Sequence, residues 1–303
     1  MGQITPHLWF DKEAVQAAEF YVQALPGSKI TNIAQIKDTP SGDCDIVSFE
    51  LAGQPFMAIS AGPLFSFTPA VSFLVRCRTT GEVDELWGKL SEGGDALMPL
   101  DSYPFSDRYG WTTDRYGLSW QVMLDARGEI DQTLVPTLMY TGDVCGKAEE
   151  AINHYASVFP NSKVEHVQHY GAGSDPDQPG TVQHAFVDLD GYKLAAMDSA
   201  RAHDSAFNEA ISLIVPCESQ QELDYYSDKL SAVPEAEQCG WLKDRYGLSW
   251  QVTPTALDEL MNKGTEEQKA RVTQAFLQMK RFDLAELERA YQGEDARVGG
   301  GSS

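Results

Sequence analysis

The sequence predicts an α+β chain of four βαβββ units followed by a C-terminal helical tail, and three observations carry that prediction. Asp114-Arg115-Tyr116-Gly117-Leu118-Ser119-Trp120-Gln121-Val122 recurs unchanged at 244–252. The same offset links Ile4-Thr5-Pro6 to Leu134-Val135-Pro136, and similar offsets link Pro26-Gly27-Ser28-Lys29 to Pro160-Asn161-Ser162-Lys163 and Cys77 to Cys217, the signature of a tandem duplication. Within each copy a strand, a helix and three strands are followed by a second set of the same kind. The boundaries that follow are repeat one at 1–126, repeat two at 132–254, a helical tail at 255–293 and a flexible end at 294–303, with the polar stretch 125–132 as linker.

In repeat one, Leu8-Trp9-Phe10 reads as a strand. A helix follows whose apolar stripe Val15, Ala18, Val22 and Leu25 steps by three and four until Pro26-Gly27 stops it. Strands at 28–35, 45–51 and 55–60 are separated by turn residues at 39–42 and at Gly53. The pattern restarts with a strand at 70–76 and a capping box, Thr79-x-x-Glu82, opening a helix that carries Val83, Leu86, Trp87 and Leu90. Further strands end at 119–123. Repeat two follows suit, with strands at 136–140, 163–169, 181–189, 193–198 and 210–216. Its helices carry Ala148, Ile152, Tyr155 and Phe159, then Leu223, Tyr226 and Leu230 behind the box Ser219-x-x-Glu222. The tail offers Thr255 as a cap, Gly264 as a stop and boxes at Thr265-x-x-Gln268 and Asp283-x-x-Glu286. Its apolar face of Val272, Phe276 and Met279 is expected to pack on a sheet or on a partner subunit.

Composition narrows the function classes. The chain has 303 residues, 42% hydrophobic and 10% aromatic, with a formal charge of −22. That apolar content supports a large core, and the length suits more than one domain. The acidic balance argues against phosphate backbones and anionic lipid surfaces, so neither nucleic acid nor membrane is an expected partner. No apolar run reaches the ~18 residues of a spanning helix, and Asp11-Lys12-Glu13 comes before any signal-peptide core could form. A soluble, cytoplasmic protein is expected. Five widely spaced cysteines, an odd number with no CxxC pair, fit a reducing compartment and predict neither a disulfide framework nor a zinc knuckle.

The repeated nine-residue motif reads as a tight turn requiring glycine, then a strand. Its Trp packs under a helix while its Gln points to the other face. An amide aimed into apolar surroundings needs a hydrogen-bond partner, which makes Gln121 and Gln251 candidate ligand contacts. Trp111 and Trp241, one strand earlier, are candidate walls. The copies differ mainly in loops, at 98–109 in repeat one and 171–180 in repeat two, which suggests unequal sites.

The paired βαβββ units, the Pro in the first strand, Phe20-Tyr21 late in the first helix and Asp-x-x-Gly-x-x-Trp-Gln at the last hairpin resemble the vicinal oxygen chelate superfamily. This superfamily includes glyoxalase, extradiol dioxygenase and bleomycin-resistance proteins. More narrowly, residues 1 to about 290 resemble the PhnB-like group, which carries the family name 3-demethylubiquinone-9 3-methyltransferase. The resemblance implies two tandem glyoxalase-like cupped mixed sheets, one per repeat, which would imitate within one chain the homodimer of single-repeat relatives and leave room for a homodimer besides. It also implies a small organic molecule or a divalent metal on the floor of each cup. The acidic charge would favour cationic ligands, as in drug-sequestering relatives.

Metal-using members supply His from the first strand, His or Glu from inner strands and Glu from the last. Counting back from Phe20-Tyr21 puts the first position at Pro6, with Pro136 as its counterpart, and the last at Gln121 and Gln251. Proline cannot ligate, and amides alone bind divalent metals weakly. His7 is expected on the opposite face, helix-packed or at the surface. His184, in Gln183-His184-Ala185, matches a His common in the PhnB-like group, whereas repeat one has Ile46 there. His166 and His169 lie on a neighbouring strand. No cofactor is therefore predicted. The rival reading keeps a divalent metal for a lyase, isomerase or dioxygenase that uses His184 and an amide, and a third reading is a scaffold whose cups are filled by side chains. Asp198, after the strand following His184, could complete an acid/base pair with it. The methyltransferase activity of the family name calls for a glycine-rich strand-to-helix turn. Gly171-x-Gly173 runs instead into Ser174-Asp175-Pro176-Asp177, which cannot open a helix, so that activity is not expected.

Overall fold

The computed structural model describes residues 3–39, 41–126, 129–203 and 205–294. Of the expected flexible end only Glu294 falls among them. In chain order the elements are β1 (Thr5–Phe10), α1 (Ala14–Ala24), β2 (Lys29–Thr39), β3 (Gly42–Leu51), β4 (Gln54–Ser60), β5 (Val71–Cys77), α2 (Thr80–Leu90), β6 (Ala96–Tyr103), β7 (Ser106–Thr113), β8 (Ser119–Leu124), β9 (Leu134–Tyr140), α3 (Ala148–Val158), β10 (Lys163–His169), β11 (Val182–Leu189), β12 (Tyr192–Asp198), β13 (Ile211–Cys217), α4 (Gln220–Leu230), β14 (Trp241–Lys243), β15 (Ser249–Pro254), α5 (Thr255–Lys263), α6 (Glu266–Leu277) and α7 (Leu284–Gln292). No helix among the described residues is long and apolar enough to cross a membrane.

Local chemistry sets the helix starts as the spacing predicts. The side chain of Thr79 accepts from Glu82 N while Glu82 reaches back to the Thr79 amide. Ser219 accepts from Glu222 N, and Thr265 and Gln268 form a reciprocal box. Each such cap contributes about 1 kcal/mol by satisfying helix N–H groups that lack partners. Thr255 differs from expectation. It is the first residue of α5, with Pro254 in the capping position, and its hydroxyl donates to the Cys217 carbonyl.

The described chain divides into two compact units, 6–34 with 45–211 and 3–5 with 35–44 and 212–294. An eight-stranded sheet lies within the larger unit in the order β10-β11-β12-β9-β5-β8-β7-β6. Its composition corrects the expectation of one cup per repeat. Strands β5–β8 come from repeat one and β9–β12 from repeat two, joined by the antiparallel pair β5–β9 with Leu74 opposite Val135 and Ser72 opposite Thr137. A βαβββ unit leaves one edge of its first strand unpaired, and here that edge is filled by the neighbouring repeat. Gln54 fastens the seam, its amide exchanging two 2.8 Å hydrogen bonds with the backbone of Leu134.

The larger unit also carries β1 parallel to β4 and β4 antiparallel to β3. In the smaller unit β13 runs parallel to β15, and the three-residue β14 pairs antiparallel with β15. The tail takes over where repeat one has its long outer strand β6. Cys239 N donates to Met279 O at 2.8 Å and Gly240 N to Lys280 O at 2.9 Å, so chain following α6 pairs with the backbone just before β14. Arg281 holds this strap through Glu237 and Asp228. The tail thus packs on its own chain.

Candidate functional site

Strand alternation sorts the side chains of the eight-stranded sheet. On β8, Trp120 and Val122 face the helices, with the Trp120 ring 5.2 Å from Tyr21 of α1 and 5.6 Å from Phe73. Ser119, Gln121 and Met123 face the concave side. There Leu74, Tyr109, Val135 and Ala195 form a buried cluster, with Met98, Tyr103, Trp111, Met123 and Phe186 packed against it. The cup floor is apolar and aromatic, with a few inward polar groups.

Gln121 is one of these, 5% exposed. Its Nε2 donates to Ser72 Oγ and its Oε1 accepts from the Tyr109 hydroxyl, both at 2.8 Å. Trp111 stands directly opposite in register, and its indole N–H donates to Ser119 Oγ at 2.7 Å. The partner that the buried amide requires is therefore supplied by the protein itself. Ser72 and Tyr109 escaped the sequence reading. The signal for Tyr109 was its place two residues before Trp111, on the same strand face.

The rest of the repeated motif holds a turn. Asp114 accepts from Tyr116 N, Leu118 N and Trp120 Nε1, and Asp244 accepts from Tyr246 N, Leu248 N and Trp250 Nε1 in the same way. Burial nevertheless raises the Asp114 carboxyl above the ordinary range, against the pull of those bonds. Gly117 and Gly247 take φ of 84° and 90°, which only glycine adopts at no steric cost.

In repeat two, Gln251 lies opposite Trp241. Its Nε2 donates to Ser212 Oγ at 2.9 Å, the counterpart of Gln121 with Ser72. Ser249 shares its face two residues away and is 1% exposed.

His184 sits half-buried on β11, its ring edge-on to Phe186 at 4.6 Å. Burial, and then the nearby His166, pull its imidazole down to about 4, so it is neutral near pH 7 and can offer one donor and one acceptor. The structure does not bring Asp198 to it. Phe186 pairs with Ala195 and Ala185 with Ala196, so His184 and Asp198 lie on opposite faces of the sheet. The Asp198 carboxylate is engaged by Gly146 N, Ala148 N and Val182 N. It caps the start of α3 as Ser60, which accepts from Ala14 N, does for α1. The expected acid/base pair is replaced by an anchoring role.

The first-strand positions also need correction. Tyr140 meets Tyr155 of α3, so Pro136 and Leu138, in step with Tyr140, are on the helix side, while Val135 belongs to the cup cluster. In repeat one Phe10 pairs with Ser60, which bonds the start of α1. Pro6 therefore faces the helix, and His7, opposite Met57, takes the other face. His7 is 4% exposed, and burial lowers its imidazole to about 3. The concave first-strand positions are thus His7 and Thr137. These residues do not fit a divalent metal. Thr137 is a poor donor, the Gln121 amide is already bonded at both ends, and His169 is drawn to Glu149 at 2.8 Å. Among the described residues no three His, Cys, Asp or Glu side chains converge, whereas catalytic zinc sites take three protein ligands.

With this geometry in hand, the sequence matches the 3-demethylubiquinone-9 3-methyltransferase family over residues 2–123 and again over 132–253. The chain belongs to that family. The match falls once in each repeat, so the chain is a tandem duplication of that family's domain. A PhnB protein of Bacillus cereus is 39% identical over 41% of this chain and all of its own, with a TM-score of 0.39. A point mutant of glyoxalase I from Zea mays covers 85% of this chain and 96% of its own at 10% identity and a TM-score of 0.52, a likeness of fold alone. The fosfomycin resistance protein FosX of Listeria monocytogenes, solved with Mn(II), is 15% identical over 42% of this chain and 93% of its own, with a TM-score of 0.32. No curated protein matches the chain.

Proposed function

We propose that this PhnB-like protein binds a small organic molecule at the concave face of a βαβββ pair, and that it does so without a metal. The observation that supports this most is the cross-strand pairing of a Gln with a Trp in each repeat, Trp111 with Gln121 and Trp241 with Gln251. A flat aromatic wall beside an inward amide, within apolar surroundings, is the usual make-up of a small-ligand site. His184, neutral and set against Phe186, is a further polar group of the eight-stranded cup. The charge of −22 favours cationic over anionic ligands.

Methyl transfer is disfavoured because 171–180 is a loop that opens no helix, so it offers no helix N-terminus to a nucleoside cofactor. The five cysteines are free, and burial pushes the Cys77 and Cys217 thiols up to about 12. Both points suit a structural role for the cysteines in the reducing cytoplasm. The test is native mass spectrometry of the protein isolated from its own cells, followed by denaturation and identification of what is released. A stoichiometric organic adduct is expected. A bare chain, together with no binder in a small-molecule library, would remove the proposal.

A further inference from the structure

The two Gln–Trp pairs are built from the same residues yet are not equally closed. In repeat one, Tyr109 fills the acceptor of Gln121 and Trp111 fills the acceptor of Ser119. In repeat two, the position two residues before Trp241 is Cys239. It has φ of 51°, and its thiol donates to Phe276 O at 3.4 Å while its amide bonds Met279. The tail thus holds residue 239 in its own hydrogen bonds, and this position offers Gln251 no phenol. No described residue donates to Gln251 Oε1, and Ser249 Oγ is buried without any partner. A buried hydroxyl left in that state, as Ser249 Oγ is, costs free energy unless a bound molecule meets it.

We infer that the Gln251–Ser249–Trp241 face is the ligand-bearing one and that its ligand is a neutral or cationic organic molecule presenting an N–H or O–H donor. This rests on the small-molecule reading above and narrows it to one half-site and one chemical class. Gln251 Nε2 spends one of its two N–H groups on Ser212, while Oε1 accepts from no described residue, so a ligand that donates meets the acceptor left open. Ser249 Oγ lies two strand residues away, about 7 Å along β15, and meets a second polar group. Trp241 supplies the flat wall, with Ile214, opposite Gln251 on β13, as the apolar floor. The Gln121 face, internally satisfied, is a scaffold.

Indole N–H resonances of the full-length, nitrogen-labelled protein read this directly, with the peaks of Trp241 and Trp111 assigned through Trp241→Phe and Trp111→Phe. The probes are benzamide, benzylamine and benzoate. Benzamide and benzylamine are expected to move the Trp241 resonance and leave Trp111 in place, while benzoate, which has no donor, moves neither. Ser249→Ala removes a hydroxyl without a partner, so the fold is retained, and benzamide is expected to bind about tenfold more weakly. Tyr109→Phe frees Gln121 Oε1 and is expected to make Trp111 respond as well. A response at Trp111 rather than Trp241 in the unaltered protein would overturn the choice of half-site while leaving the small-molecule reading intact. Silence of Trp241 towards every probe would overturn the inference, with the released-molecule experiment deciding separately whether the protein binds organic molecules at all.

Discussion

The phenolic hydroxyl of Tyr109 donates to the amide oxygen of Gln121 at 2.8 Å, and this bond closes a polar group that the rest of the cup wall cannot satisfy. Tyr109→Phe keeps the ring in the cup cluster and removes only the donor. It should destabilise the protein by about 1–2 kcal/mol, because a buried acceptor is then left unmatched. The denaturant midpoint should fall with an unchanged slope.

Asp114 and Asp244 make a sharper case. Each carboxylate gathers two backbone N–H groups and an indole N–H. Asp114→Ala should cost about 3 kcal/mol or more, since three donors lose an ionised acceptor at once. Asp114→Asn retains one acceptor oxygen and should cost less. Thermal unfolding of the two variants side by side checks the order.

The tail is predicted to be structural at Gly240. A Cβ there would collide with the Phe282 ring and come within 2.7 Å of Val252 O, at a backbone φ of 79°. Gly240→Ala should therefore lower stability by about 2 kcal/mol or more and loosen the strap. Faster hydrogen exchange at the amides of Cys239 and Gly240 is the expected readout. Gly117→Ala, where the Cβ meets nothing within 4 Å, should show only the backbone penalty.

Acid sensitivity follows from His184. Its imidazole is lowered from 6.5 to about 4 in the folded chain, so below pH 6.5 the unfolded chain takes up a proton that the folded chain refuses. The contribution is fully present above about pH 6.5 and is lost as pH falls through about 4. Complete loss would amount to no more than about 3 kcal/mol for this half-buried ring. His184→Gln should flatten the stability curve between those values. An unchanged curve would mean that the ring is solvated. His7, lowered to about 3, works in the same direction and accounts for a slope that remains.

Much of the fold was legible because it is written in local pattern. The duplicated nine-residue motif, the capping boxes at Thr79, Ser219 and Thr265, and the periodicities of α1 and β8 all lead to elements that are present. Pairing was not legible. Nothing in the period-two pattern of β5 or β9 says whether Leu74 meets a strand of its own repeat or Val135 of the next. β9, buried at every position, shows no alternation from which to choose a face, and counting back from Phe20-Tyr21 put Pro6 and Pro136 in the cup, where His7 and Thr137 hold those places. The cross-strand pairs Trp111–Gln121 and Trp241–Gln251 were legible because an amide and a tryptophan repeat at one offset. Tyr109 was not, because its counterpart is Cys239 and the repeat gives no match.

Metal analysis of the purified protein, before and after incubation with Zn²⁺, Ni²⁺, Mn²⁺ and Fe²⁺ and alongside His184→Ala, tests the central claim of metal-free ligand binding most directly. The account predicts no stoichiometric metal in either form. One divalent ion per chain that is lost in His184→Ala would contradict it and make the eight-stranded cup a metal centre.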